Sequence, residues 1–317
     1  MNKMKEEKEN HIQRRAFIQK SALFAASTLI LPFLSEDTYG FVNPPLKTKS
    51  VPNVKLNNGV LMPVLGFGTF QLRESVCQQS VAEALAVGYR LIDTATLYRN
   101  EEYVGAAIKE SGIKREELFI TSKVWVTDSG YEKSKIAFET SLKKLGTDYL
   151  DLYLIHRPRG DFKGSWKMME ELYKEGRIRA IGLSNFTPAQ YADFMKEAKI
   201  VPTVNQVESH AFFHQVDTYK DSKQNKVQME AYTPFAQGRN GLFTNPVLAE
   251  IGKKYNKTNA QVSLRWHYQR GVIAIPRSSK KEHIIENFNI FDFKLSKADM
   301  ATIAALDLNK TQFPTWG

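Results

Sequence analysis

The sequence predicts an α/β protein of the (β/α)8 TIM-barrel class, with an N-terminal β-hairpin ahead of the barrel and extra C-terminal helices. Three observations carry that expectation. From Val64 onward, short apolar runs alternate with helical patterns, which implies parallel strands joined by helical crossovers. Eight such strands fall within about 260 residues, the size of a closed barrel. An open doubly wound sheet is the alternative, but Gly66-Phe67-Gly68 lacks a third glycine at the offset its phosphate turn requires.

Residues 1–45 stand apart as a leader and linker, and 46–317 form the barrel domain. A charged start leads to Arg14-Arg15-Ala16-Phe17-Ile18-Gln19-Lys20 and then the uncharged run Ser21 to Ser35. Paired arginines, an aromatic residue two positions on and a modest apolar run resemble a twin-arginine export signal. The run is shorter than the roughly 20 residues of a spanning helix. Export to the periplasm is therefore expected, with a cytoplasmic location as the alternative.

The barrel domain opens with Val54-Lys55-Leu56, the turn Asn57-Asn58-Gly59 and Val60-Leu61-Met62, a hairpin signature. Strands are expected at Val64–Gly68, Arg90–Ile92, Leu118–Trp125, Tyr149–Ile155, Arg179–Leu183, Val204–Glu208, Val227–Tyr232 and Val272–Ile275. Helices are expected at Glu74–Val87, Asn100–Glu110, Tyr131–Leu145 and Ser165–Lys174, with Gly88, Gly146 and Gly176 as stops. Another starts at Pro188, and Val247–Tyr255, Ala260–Gln269, Lys281–Asn287 and Lys297–Leu306 complete the pattern.

The formal charge is +10, but the first twenty residues hold six Lys/Arg against three Glu. The remaining excess is scattered through helices of mixed sign without a basic block, so a nucleotide phosphate fits better than a nucleic-acid polymer. The single cysteine, Cys77, excludes an internal disulfide. His210 and His214 share an i, i+4 spacing without a third ligand, and no metal is expected.

The strand ends carry the chemistry. The second strand delivers Asp93, with Tyr98 in the loop beyond; the third ends in Lys123 and Trp125, the fourth in His156 and Arg157, the fifth in Ser184-Asn185. The sixth gives Gln206, the seventh Tyr232, the eighth Arg277-Ser278-Ser279. Singly, each has an ordinary structural explanation such as a cap or a buried packing residue. At successive strand ends of a barrel they converge on one rim, where such folds place their active sites. A phenol with pKa of about 10 needs help to transfer protons near neutrality. A neighbouring ammonium lowers that pKa, and an aspartate holds the ammonium in place. A neutral histidine can donate to a carbonyl oxygen. These groups lack an electron source, and a bound nicotinamide cofactor fits that place.

The segments GYRLIDTATLYRNEE, ITSKVW, LYLIHRP, IRAIGLSNF, VNQVE and IPRSSKKEHIIENFNIFDF resemble the aldo-keto reductase superfamily over roughly Val51 to Asp307. The resemblance implies hydride transfer between a nicotinamide and a carbonyl or alcohol. It implies Tyr98 as general acid with Lys123 and Asp93 behind it, and His156 orienting the substrate. Ser184, Asn185 and Gln206 match the carboxamide-holding residues, and Tyr232 the aromatic that stacks on the nicotinamide. Gly68 and Thr69, after the first strand, border the cofactor; Phe70, Trp125 and His156 border the substrate. Arg277, Ser278 and Ser279 match the 2′-phosphate segment, with Glu286 and Asn287 near the adenine. His283 departs from the arginine usual there, which weakens the charge contact; NADPH is expected, with NADH as the second option. Arg157 is a further departure, biasing the pocket towards acidic substrates or else pointing outwards. The short loop Arg159–Gly164 and short tail imply an open substrate site.

The expected activity is thus NAD(P)H-dependent reduction of aldehydes or ketones to alcohols. The expected partners are a small carbonyl substrate and the export machinery, on a monomer. The alternative is a nicotinamide-binding regulatory or partner subunit with little turnover.

Overall fold

The computed structural model describes residues 51–314. The twin-arginine-like leader and its linker lie outside the described residues.

Strands β1 (Asn53–Lys55) and β2 (Leu61–Pro63) pair antiparallel as the expected hairpin. The barrel strands follow: β3 (Gly66–Gly68), β4 (Leu91–Asp93), β5 (Phe119–Val124), β6 (Leu152–Ile155), β7 (Ile181–Ser184), β8 (Val204–Glu208), β9 (Gln228–Tyr232) and β10 (Ile273–Ala274). Each pairs in parallel with its sequence neighbour. A bridge between Leu65 and Ala274, and the Gly68 N–H donating to Pro276 O at 3.0 Å, join the first strand to the last. Gly66 is required at that seam, because a Cβ there would sit 2.5 Å from Leu91 Cγ.

The helices are α1 (Glu74–Val87), α2 (Glu101–Ser111), α3 (Tyr131–Leu145), α4 (Phe162–Lys174), α5 (Pro188–Phe194), α6 (Val216–Gln224), α7 (Pro246–Tyr255), α8 (Asn259–Gln269), α9 (Lys281–Phe288) and α10 (Lys297–Ala304). Their starts follow from local chemistry. Thr187 and Gln190 form a capping box in front of Pro188, and Thr258 with Gln261 does the same for α8. The Asp161 carboxylate accepts from Gly164 N at 2.8 Å, which starts α4 three residues ahead of the expected Ser165. Strand β6 begins at Leu152 rather than Tyr149, because Leu150 makes only an isolated bridge to Ile178.

Strand periodicity sorts the side chains into two layers. Ile92, Ile120, Tyr153, Ile155, Ile181 and Leu183 pack outward in the core shared with the helices. Leu91, Phe119, Leu152, Leu154, Val204 and Ile273 fill the barrel interior, joined from below by Val54, Leu56 and Met62 of the hairpin segment. The hairpin turn is tied to that lower end by Asn57 Nδ2 donating to Pro202 O and Asn58 Nδ2 to Arg179 O, each at 2.9 Å. Further along β4, β5, β8 and β9 the interior turns polar: Asp93, Lys123, Gln206 and Glu230 are buried there. The apolar plug below and the polar layer above place the chemistry at the C-terminal rim.

Candidate active site

Tyr98 reaches the rim from a short 3-10 turn, Thr96–Tyr98, after β4. Buried Asn100 fixes that turn. Its Nδ2 donates to Thr69 O (2.8 Å) and Leu72 O (2.9 Å), and its Oδ1 accepts from the Thr94 hydroxyl at 2.8 Å. The Thr96 hydroxyl donates to Lys123 O at 3.1 Å, tying the same turn to β5.

Lys123 is wholly buried. Its Nζ lies 2.6 Å from Asp93 Oδ1, 2.9 Å from Thr94 O and 3.3 Å from Tyr98 Oη. Burial alone would push the ammonium down, but Asp93, Tyr98 and Glu230 outweigh it and hold the lysine above its ordinary pKa. Lys123 is therefore a fixed cation. Tyr98 corrects one expectation. Lys123 does pull the phenol down, but burial is larger, so the net direction is upward. The Tyr98 phenol therefore stays protonated.

His156 follows β6 and lines the same cavity. Its ring meets Trp125 edge-on at 4.9 Å and Tyr98 at 5.8 Å between centroids. Burial, then Lys123 and Arg157, hold its pKa well below the usual imidazole range, so the ring is neutral. Nδ1 is buried without a hydrogen-bond partner among the described residues. The single proton is therefore assigned to Nε2, the nitrogen left to face the cavity, as a donor.

Gln206 is held by two carboxyl groups at once. Its Nε2 donates to Asp93 Oδ2 at 2.8 Å and to Glu230 Oε2 at 2.9 Å. Both amide hydrogens are thus committed, and Oε1 remains as the acceptor a carboxamide N–H needs. Asn185, at a left-handed φ of 67°, donates from Nδ2 to His156 O (3.0 Å) and Ser184 Oγ (2.9 Å). Its Oδ1 accepts from the Tyr232 hydroxyl at 2.6 Å, which fixes that ring at the cavity wall.

The cavity has a volume of about 880 Å3, ample for a dinucleotide head and a small substrate. Of the residues expected in the site, Gly68, Phe70, Asp93, Tyr98, Trp125, His156, Ser184, Asn185, Gln206, Tyr232, Arg277, Ser278, Ser279 and His283 line it. Four do not. Lys123 lies behind Asp93 and Tyr98; the Thr69 hydroxyl donates to Asp93 O at 2.9 Å, turned away from the cavity. Glu286 is taken up by the hydroxyl of Thr258, the N-cap of α8, and Asn287 lies on the buried face of α9. Arg277 Nη2 donates to Gln71 Oε1 at 3.0 Å, and Lys280 also lines the cavity, whereas Lys281 does not. His210 and His214 are engaged elsewhere, with Glu208 Oε1 at 2.9 Å and Ala211 O at 3.0 Å.

Sequence reasoning missed Glu230 and the segment 233–245. Glu230 is wholly buried, and its pKa rises to about 8 through burial and the neighbouring Asp93. A charged residue in the apolar strand context VQMEAY was the signal. The segment after β9 supplies Thr233, Phe235, Gln237 and Phe243 to the cavity wall and has left-handed residues at Thr233, Ala236 and Gln237. It is tied to the tail by Asn240 Nδ2 donating to Gln312 Oε1 at 2.6 Å. Its two glycines and lack of periodicity marked it as a functional loop.

The Aldo/keto reductase family profile matches residues 64–308. The chain is 50% identical over 271 residues to a glyoxal reductase of Bacillus subtilis (strain 168), covering 85% of this chain and 98% of that one. Among solved structures, an aldo/keto reductase from Brucella melitensis superposes with a TM-score of 0.78 at 45% identity, covering 81% of this chain and 100% of that one. An aldo-keto reductase of Bombyx mori in complex with NADP gives 0.79 at 34% identity, over 83% of this chain and 94% of that one.

Proposed function

The chain belongs to the aldo/keto reductase family, and on that premise we propose how its rim residues divide the work. It is an oxidoreductase that reduces aldehydes or ketones to alcohols with NADPH. The residues present fit that cofactor: Gln206 offers an acceptor beside the polar atoms of Ser184 and Asn185, and Arg277 with Lys280 supplies cations for phosphate. When bound, NADPH supplies a hydride to the carbonyl carbon.

Tyr98 gives the proton to the carbonyl oxygen. Lys123, kept cationic by Asp93, stabilises the phenolate left behind. Neutral His156 donates from Nε2 to the same oxygen, aligning it before transfer. Phe70 and Trp125 form apolar walls that hold water off the reacting atoms. The observation carrying this reading is Lys123 Nζ placed between Asp93 Oδ1 (2.6 Å) and Tyr98 Oη (3.3 Å), behind a cavity both face. NADPH consumption by the full chain with glyoxal and other small aldehydes tests it. Tight NADPH binding with no turnover on any carbonyl would instead favour a regulatory subunit.

We also propose that residues 1–45 direct a monomeric barrel to the twin-arginine export route, on the strength of Arg14-Arg15 and the short apolar run after them. Replacing both arginines by lysine and fractionating cells tests this. Loss of the exported pool is expected; an unchanged distribution contradicts it.

A further inference from the structure

Strands β6 and β10 stand four apart in a ring of eight, so they face each other across the barrel. Both ends of the cavity between them are cationic. Arg277 and Lys280 line it after β10, and Arg157 lines it after β6, beside His156. In the reading above, the cations after β10 meet the dinucleotide's phosphates. Arg157 is left on the far side, next to the histidine that receives the carbonyl oxygen.

Arg157 is half-buried, and among the described residues no carboxylate is paired with it. Burial pushes its pKa down, and the ionisable groups that act on it are Tyr232, Arg159 and Tyr98, none of them a carboxylate. Among the described residues Asp93 is the one acid in the cavity lining, and its charge is committed to Lys123. A guanidinium that loses part of its hydration in a pocket wall, with no counter-ion, is costly unless a ligand brings the anion.

We propose that Arg157 binds the carboxylate of an oxo acid, so that the preferred substrates carry an anionic group a few bonds from the reacting carbonyl. The proposal rests on the carbonyl-reductase reading and adds the substrate class. His156 and Arg157 are neighbours in the chain and both line the cavity, so a carbonyl oxygen at the imidazole and a carboxylate at the guanidinium can belong to one small molecule. A guanidinium matches a carboxylate with two parallel N–H donors, which orients the carbonyl as well as holding it. The anion takes no part in bond making: hydride goes to the carbonyl carbon and the Tyr98 proton to its oxygen.

The test compares succinic semialdehyde with its methyl ester, for the full chain and for Arg157→Leu, Arg157→Gln and Arg157→Lys. The wild type is expected to favour the acid in kcat/KM by about tenfold or more, the worth of a charge-assisted hydrogen bond. In Arg157→Leu and Arg157→Gln the acid-over-ester ratio falls by about 10- to 100-fold, chiefly through KM of the acid. Arg157→Lys retains part of it. Equal use of acid and ester by the wild type overturns the proposal, as does a ratio that Leu and Gln leave unchanged. No turnover of either substrate overturns the carbonyl-reductase reading itself, because the ester needs no anion site.

Discussion

Lys123 Nζ and Asp93 Oδ1 lie 2.6 Å apart, buried at the floor of the cavity. An ion pair in such a place is a weak source of stability, because desolvating both charges offsets most of their attraction. Its use here is positional. The pair holds a permanent cation under the Tyr98 hydroxyl, and the Gln206 amide closes the other side of Asp93.

Lys123→Met removes that cation while leaving a chain of similar length. We expect kcat to fall by about 10²- to 10⁴-fold, the usual scale for losing general-acid support. NADPH affinity, read by fluorescence titration, should change far less than kcat. A parallel loss of affinity and turnover would place Lys123 in folding of the pocket rather than in proton transfer.

His156 is neutral because burial and two nearby cations disfavour its protonation. Carbonyl reduction should therefore show no acid limb at the ordinary imidazole pKa of about 6.5, and decline only further into acid. The phenol is shifted upward, so the alkaline limb should lie above the ordinary tyrosine value. His156→Ala should cost about 10- to 100-fold in kcat/KM, the worth of one hydrogen bond realised in the transition state. A pH–rate profile with an acid limb near the ordinary imidazole value would contradict the neutral-donor role.

Glu230 gives a stability signature with a defined sign. Its folded pKa of about 8 lies above the unfolded value of about 4.3, so across that window the folded chain holds a proton the unfolded chain has lost. Its contribution is fully present below the unfolded pKa and is lost as pH rises through the folded one. Wild-type melting temperature should thus decline between about pH 5 and pH 8, and Glu230→Gln should remove part of that decline. Identical pH profiles for the two proteins would contradict the buried, protonated assignment.

Much of the fold was legible because it rests on periodicity. Alternation of strand and helix gave the barrel, and glycines at Gly88 and Gly146 marked helix ends where φ turns positive, at 125° and 67°. Asp93, Lys123, His156 and Gln206 were legible as strand-end polar residues. Glu230 was harder to see. Its partner Gln206 lies on another strand, and only the β8–β9 register sets the two opposite each other. The segment 233–245 has no period at all, and its conformation depends on the tail at Gln312, 67 positions from residue 245 or more. The net direction of the Tyr98 shift depended on burial, which sequence does not state.

The phosphate end of the cavity separates the two nicotinamide cofactors. Arg277→Ala should raise KM for NADPH by about 10- to 100-fold, through loss of a charge-assisted phosphate contact, and affect NADH much less. His283→Arg should strengthen the NADPH preference by adding a cation to the same wall. An equal rise in KM for both cofactors would move Arg277 from phosphate recognition to shaping the loop through Gln71.

The most direct test is Tyr98→Phe in the full chain, with NADPH oxidation and NADPH binding measured on the same preparation. Removing one oxygen leaves the ring packed against Phe70 and deletes only the proton donor over Lys123. The account predicts near-complete loss of aldehyde reduction, about 10²-fold or more, with NADPH binding retained. Aldehyde reduction at close to the wild-type rate would contradict it, and the proton would have to come from another group on the rim.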